Sequence, residues 1–119
     1  MMGYKAFVIK MFEKSAELFE RKYRQYATLD NTACDPLANF RVGANLKYGS
    51  NSYSAMYECA KDYARKHIAY IESHGIYGES VDESLGDIMV YAAIMRYLKA
   101  RNKETTARCA VAQRREASE

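Results

Sequence analysis

Two carboxylates, Glu83 and Asp87, stand one helical turn apart at the start of the most apolar stretch of the chain. From residue 85 to residue 98 this stretch is apolar on nearly every side, and Asp87 and Arg96 are its only charged residues. At about 100° per residue, Asp87 shares a helix face with Tyr91, so its carboxylate points into protein. A buried carboxylate must be paired with a cation, protonated or bound to a metal ion.

Two interpretations of these carboxylates follow. In the first, Asp87 forms a salt bridge with a core-facing lysine or arginine, and Glu83 is the last residue of a helix-capping motif. In the second, the stacked carboxylates hold Mg²⁺, a hard cation that favours oxygen ligands and sites completed by substrate phosphates. Glu58 and Asp62 repeat the same spacing on the preceding helix, although a solvated face explains them equally well. The predicted magnesium ligands are Glu58, Asp62, Glu83 and Asp87.

Basic side chains also interrupt apolar stripes. Lys22 lies inside the stripe of the first helix, where its ammonium group needs a carboxylate or a ligand phosphate. His67 lies at the centre of the stripe of the third helix, with Lys66 at the margin, and a hydrogen-bonded core histidine is the alternative for His67. His67 and His74 are two turns apart, roughly 10 Å along a helix, which disfavours a shared zinc ion. Three acidic residues of the first helix lie opposite its stripe and are expected on the surface: Glu13, Glu17 and Glu20.

The elements that position these residues are predicted to be four α-helices, because no segment alternates apolar and polar residues as a strand does. The first helix spans about 4–28 and carries an apolar stripe of Val8, Met11, Phe12, Phe19, Tyr23 and Tyr26. A polar loop over 29–33 follows, and Asp35 with Pro36 opens a short second helix that Gly49 ends.

The third helix is predicted to begin at Asn51 or Ser52 and to end at His74 and Gly75. Its core stripe is Met56, Cys59, Ala60, Tyr63, Tyr70 and Ile71. The sequence from Ser80 to Glu83 has the form of a capping box, which begins a last helix reaching about Asn102. The simplest all-α architecture is a compact four-helix bundle with antiparallel neighbours, formed by residues 1–103, with residues 104–119 as a basic, partly frayed helical tail.

Composition narrows the class of protein. The 119 residues are enough for one domain. Residues 1–98 carry 12 basic and 12 acidic side chains, whereas residues 99–119 carry six and three, so the net charge of +3 resides in the tail and disfavours a nucleic-acid surface. No apolar run is long enough for a membrane span, and no signal peptide is apparent, which predicts a cytoplasmic protein. Three cysteines without CxxC spacing are expected to be reduced and buried.

The run from Glu83 to Tyr91 contains Leu85-Gly86-Asp87 and resembles the end of the MazG-like nucleotide pyrophosphohydrolase signature, in which a Glu-Leu-Gly-Asp core lies on a helix. A longer part of the chain, 12–98, resembles small phage proteins associated with nucleotide modification. The matching residues are Lys22-Tyr23, Asp35, Asn39-Phe40, Lys66-His67 and the run from Glu79 to Asp87. The MazG family implies an all-α fold, dimers or higher oligomers, magnesium, and hydrolysis of a nucleoside triphosphate to the monophosphate and pyrophosphate.

The leading hypothesis from the resemblance is a magnesium-dependent nucleotide pyrophosphohydrolase in the cytoplasm of a phage-infected host. Glu83 and Asp87 would serve catalysis, and the expected nucleotide contacts are Lys22, Tyr26, Asn39, Lys66 and His67. A homodimer or a higher homo-oligomer is expected, because the last helix has more apolar surface than its neighbours cover. A second hypothesis is a nucleotide-binding protein without turnover, since Ser84 stands where the family has a glutamate. A third is a protein-interaction module that uses the tyrosines and the basic tail.

Overall fold

The computed structural model describes residues 2–29 and 37–118, and the side chains of 2–24 and 37–115. In this part of the chain the structure is all-α, as predicted. The four helices are α1 (Tyr4–Leu29), α2 (Ala38–Tyr48), α3 (Tyr53–His74) and α4 (Val81–Ser118). None of them combines the length and the apolar character that crossing a bilayer requires. The predicted loop after the first helix and the cap formed by Asp35 and Pro36 lie outside the described residues.

Most helix ends follow from local sequence. Gly49 ends α2 in the left-handed conformation at φ 67°, and its backbone N–H donates to the carbonyl of Asn45. Ser52 caps α3 because its hydroxyl accepts a hydrogen bond from the backbone N–H of Ala55 at 3.2 Å. Gly75 ends α3, also at φ 67°. These three predictions are confirmed, since each depends on the conformational preference of one residue.

Two helix boundaries differ from the predictions. Helix α2 begins at Ala38, after the predicted start at Pro36, and Leu37 precedes it without a side-chain cap. Helix α4 does not end near Asn102 but continues to Ser118. The basic segment is therefore part of a continuous helix of 38 residues, and the predicted division between residues 103 and 104 lies inside it.

The core lies between α2, α3 and α4. Its fully buried large side chains are Met56 of α3 and Leu98 of α4. Around them the core cluster is completed by Phe40, Ala44, Ala55, Cys59 and Ala60. This confirms the inward face predicted for the first half of α3. Cys59 is buried as predicted, whereas Cys109 is exposed, because the part of α4 that carries it extends beyond α3.

Helix α1 packs against α4 and against no other described helix. Its apolar stripe was predicted to be buried, but Phe12, Phe19 and Tyr23 are exposed because none of the other described helices covers that side of α1. The protein extends 66 × 34 × 28 Å, so the predicted compact bundle is in fact an elongated arrangement. The cause is α4, whose 38 residues span about 57 Å at 1.5 Å per residue.

Candidate functional site

A cavity of about 490 Å³ lies where α1, α2 and α4 meet, beside the aromatic face of α3. We call it the central cavity. Its polar lining consists of Lys22, Asn39 and Asp87. Its aromatic walls consist of Phe19, Tyr23, Phe40, Tyr63 and Tyr91. The structure therefore brings together three residues that the sequence singled out separately, one each from α1, α2 and α4.

Asp87 is the polar centre of the cavity. Its side chain is 23% exposed, and the Lys22 ammonium donates a hydrogen bond to Oδ1 at 3.3 Å. On the other side, Nε2 of His67 lies 3.8 Å from Oδ2. The carboxylate thus lines the cavity and forms an ion pair with a lysine, but Lys22 is half-exposed, whereas the salt-bridge interpretation expected a core-facing partner.

His67 is held between α3 and α4. Its Nδ1 lies 3.3 Å from the hydroxyl of Ser84, a residue only 7% exposed. Its ring packs against the ring of Tyr91 at 5.7 Å between centroids. The Ser84 hydroxyl and the Asp87 carboxylate therefore contact opposite nitrogens of the imidazole and fix the orientation of its plane.

The aromatic walls form a connected cluster. Tyr91 packs edge-on against Phe40 at 6.3 Å and in a tilted arrangement against Tyr63 at 6.0 Å, and Phe40 and Tyr63 are 5.8 Å apart. Burial raises the pKa of Tyr63, and a hydrogen bond with Cys59 raises this pKa further. Tyr63 is therefore a neutral phenol at physiological pH, and the walls present uncharged ring surface. The sequence placed Tyr63 in the core stripe of α3 and Phe40 only among the residues that carry the resemblance. Periodicity within one helix gives no signal that these two rings meet at a cavity.

The other residues predicted to contact a nucleotide or a metal ion differ in how close they lie to the central cavity. Lys66 is exposed, with its ammonium 5.5 Å from the centroid of the Tyr63 ring, so it stands beside one cavity wall. Asn39 is exposed at the cavity rim. Glu83 is exposed one turn before Asp87 on α4. Tyr26 belongs to α1, but its side chain lies outside the described residues.

Glu58 and Asp62 are engaged elsewhere. Glu58 pairs with Lys61 at 2.6 Å on α3. Asp62 accepts hydrogen bonds from Lys47 at 2.7 Å and from the Tyr48 hydroxyl, so it ties the end of α2 to α3. The hydrogen bond from Lys47, followed by that from Tyr48, lowers the pKa of Asp62.

The positions of these carboxylates bear on the predicted magnesium site. Neither Glu58 nor Asp62 lines the central cavity, and Asp87 is already neutralised by Lys22. Among the side chains that the structure describes, no three histidine, cysteine, aspartate or glutamate residues converge as ligands of one ion. The four predicted ligands are therefore divided between α3 and α4 in the described structure, and the magnesium site stays a prediction.

No family model, curated protein or solved structure matches the chain. The resemblance to MazG-like proteins, the nucleotide ligand and the homo-oligomer stay predictions.

Proposed function

We propose that the chain binds a nucleotide in the central cavity, with the base against the aromatic walls and the phosphate beside Lys22. One observation carries the proposal: aromatic ring surface and the Lys22–Asp87 ion pair line the same concave site, with His67 3.8 Å from the Asp87 carboxylate. Its volume of about 490 Å³ is within the usual range for small-molecule sites, roughly 300–1,000 Å³. A nucleotide combines the flat ring and the anionic group that such a site suits.

The aromatic walls suit a nucleobase because every base has a flat π-face. Stacking of a base on an aromatic side chain contributes about 1–3 kcal/mol and depends little on base identity. Phe40, Tyr63 and Tyr91 supply ring surface from three helices, so their positions are fixed by the core behind them. Asn39 at the rim carries both a donor and an acceptor, which can pair with polar edges of the base.

The polar end suits a phosphate group. The Lys22 ammonium has three donors, of which Asp87 takes one, and its side chain is 48% exposed, so the others can reach a ligand. His67 adds a second positive charge when it is protonated, and Asp87 holds its ring in place. Lys66 stands beside Tyr63, where it can meet a phosphate that extends out of the cavity.

The proposal is binding rather than hydrolysis. Asp62 and Asp87 belong to two separate ion-pair groups, with Lys47 and with Lys22 respectively. The Lys22 ammonium can bind an anion through charge-assisted hydrogen bonds without any metal ion. The pyrophosphohydrolase activity that the resemblance implies stays a prediction, and the same experiment tests it.

Isothermal titration calorimetry with nucleoside mono- and triphosphates, in EDTA and in magnesium, tests the proposal. At least one nucleotide is expected to bind in EDTA. Lys22→Gln removes a charge-assisted hydrogen bond and is expected to weaken binding about tenfold or more. Lys10→Gln is the matched control, because Lys10 is exposed on the same helix and does not line the cavity.

Two results would refute nucleotide binding at this site: no heat with any nucleotide, or equal affinity of the wild type and Lys22→Gln. Pyrophosphate release from a triphosphate in magnesium, lost in Asp87→Asn, would instead support the hydrolase that the resemblance implies.

A further inference from the structure

Helix α4 continues well beyond the start of α3. Arg101 donates a hydrogen bond to the hydroxyl of Tyr53, the first residue of α3, at 3.4 Å. After Arg101 the side chains of α4 are exposed as far as residue 115, except that of Ala110, which is partly buried. Residues 102–118, which we call the α4 arm, span about 25 Å at 1.5 Å per residue.

The arm and the turn before it are strongly basic. Residues 99–115 carry six lysine or arginine side chains and one acidic side chain, that of Glu104. In the sequence these charges disfavoured a nucleic-acid surface because they were assigned to a partly frayed tail. In the structure they lie on one continuous helix, which fixes their positions relative to one another.

The helix arranges most of these basic side chains in two rows. Arg101, Arg108 and Arg115 follow one another at intervals of seven residues, so each lies about 20° from the last around the helix axis. Lys103 and Arg114 form the second row, since a separation of eleven residues also leaves them about 20° apart. The two rows are about 130° apart around the axis, so both lie on one half of the helix.

The strip between the rows consists of small apolar side chains, those of Ala100, Ala107 and Val111, all exposed. Glu104 also lies in this strip, where it accepts a hydrogen bond from Arg101 at 3.0 Å. Between Ala100 and Val111 the strip carries no large apolar side chain that would enter a bilayer. It also carries no aromatic ring of the kind that anchors a protein partner. The strip therefore favours a partner with two lines of negative charge on either side of a recess.

Duplex DNA has this arrangement of charge. Its major groove is about 12 Å wide, which matches the diameter of an α-helix with its side chains, and phosphates line both edges of the groove. The major groove of duplex RNA is deep and narrow, and side chains do not reach into it in this way.

We propose that the α4 arm binds duplex DNA by lying in the major groove. The small-residue strip faces the base pairs, and the two basic rows face the phosphates of the two strands. The apolar side chains of the strip make no hydrogen bonds to base edges, so the affinity is expected to depend little on base sequence. This inference does not depend on nucleotide binding, because the arm and the central cavity share no residue.

Fluorescence anisotropy with the full chain and a labelled DNA duplex of about 20 base pairs tests the proposal. The duplex is longer than the roughly 7 base pairs that the arm spans. A dissociation constant of roughly 1–100 µM is expected at physiological salt. If Lys103, Arg108 and Arg114 each neutralise one phosphate, the logarithm of the affinity should fall with the logarithm of the salt concentration with a slope of about −3.

Two single substitutions test which side of the arm faces the DNA. Ala107→Glu and Cys109→Glu introduce the same charge at exposed positions about 200° apart around the helix. Ala107→Glu is expected to weaken DNA binding at least about tenfold, because its carboxylate would lie between the two lines of phosphates. Cys109→Glu is expected to change the dissociation constant by less than about threefold. Glu104→Gln should instead strengthen binding, since it removes the acidic group from the strip.

A double substitution tests the two basic rows. Arg108→Gln with Arg114→Gln removes one phosphate contact from each row, so it is expected to weaken binding at least about tenfold and to reduce the salt slope by about 2. Lys10→Gln with Lys14→Gln is the control, because it removes the same charge from exposed positions on α1. Circular dichroism checks that every variant stays helical.

Four results would each overturn the proposal. The first is an unchanged anisotropy of the DNA even at low salt, and the second is an equal effect of Ala107→Glu and Cys109→Glu. The third is a duplex RNA of the same sequence that binds as tightly as the DNA. The fourth is binding to phosphatidylserine vesicles without binding to DNA, which would assign the arm to a membrane surface.

Discussion

The Asp87→Asn substitution distinguishes metal-independent from metal-dependent nucleotide binding, because it is expected to raise the affinity in the first case and to lower it in the second. In the structure the Asp87 carboxylate lies 3.3 Å from the Lys22 ammonium, so a bound phosphate would have to compete with it for this cation. Removal of its charge should therefore tighten nucleotide binding in EDTA. If the carboxylate instead held a magnesium ion that bridges to the phosphates, the same substitution should weaken binding in magnesium.

The expected change in nucleotide affinity follows from the geometry of the Lys22–Asp87 ion pair. Because Lys22 is half-exposed, its pairing with Asp87 resembles surface ion pairs, which contribute about 0.2–1 kcal/mol. A phosphate dianion about 5 Å from the carboxylate adds a repulsion of roughly 1–2 kcal/mol at the dielectric constant of water. Relief of both effects amounts to a gain in affinity of roughly 10- to 100-fold. The loss of a metal-bridging ligand would act in the opposite direction, by about 10–100-fold or more.

The assay is calorimetric titration of the tightest-binding nucleotide into wild type and Asp87→Asn, in EDTA and in magnesium. Repetition in higher salt should shrink the difference between the proteins, because screening weakens exposed charge interactions. A loss of affinity in EDTA on replacing Asp87 would refute the argument, since it would mean that the carboxylate itself contacts the ligand.

Three further outcomes are expected. Gly43→Ala should destabilise the protein by about 1–2 kcal/mol in urea unfolding, since its Cβ would lie 2.7 Å from Sγ of Cys59, and adding Cys59→Ala should restore stability. Gly86→Ala, which meets nothing within 4 Å in α4, should stabilise by about 0.5–1 kcal/mol, and a loss there would contradict the helix geometry. Because the pKa of Asp62 is lower in the folded protein, this carboxylate stabilises the fold at pH values above its ordinary pKa of 3.8. The stabilisation should disappear as pH falls through the lower folded-state pKa. Asp62→Asn should abolish this pH dependence in acid titrations followed by circular dichroism.

Helix ends were predictable where one residue decides them. Gly49 and Gly75 both adopt a positive φ, and Ser52 caps its helix, so each signal acts within one turn. The end of α4 was not predictable from its charge, because high charge does not stop a helix. No glycine or proline follows Gly86 in the sequence, and the alanine- and arginine-rich segment favours helix until the end of the described chain.

The candidate site was predictable in part for a similar reason. A charged residue on an apolar stripe identified Lys22 and Asp87, but periodicity cannot say which helix lies opposite. The structure shows that these two residues face each other. In the sequence alone they are two unrelated charged residues on two apolar stripes. The pairing of Asp62 was not predictable, because its partners Lys47 and Tyr48 come from α2 and no pattern within α3 reveals them.

The uninterrupted course of α4 restricts how this protein can change length during evolution. Ser84, Asp87 and Tyr91 reach the site from successive turns, and Leu98 of the same helix fills the core. A single-residue insertion between Asp87 and Leu98 would rotate everything after it by about 100° and separate the core anchor from the site. Beyond the last contact with α3 no such penalty applies, so homologous chains should differ in length at the carboxyl end of α4 and keep a constant count between Ser84 and Leu98.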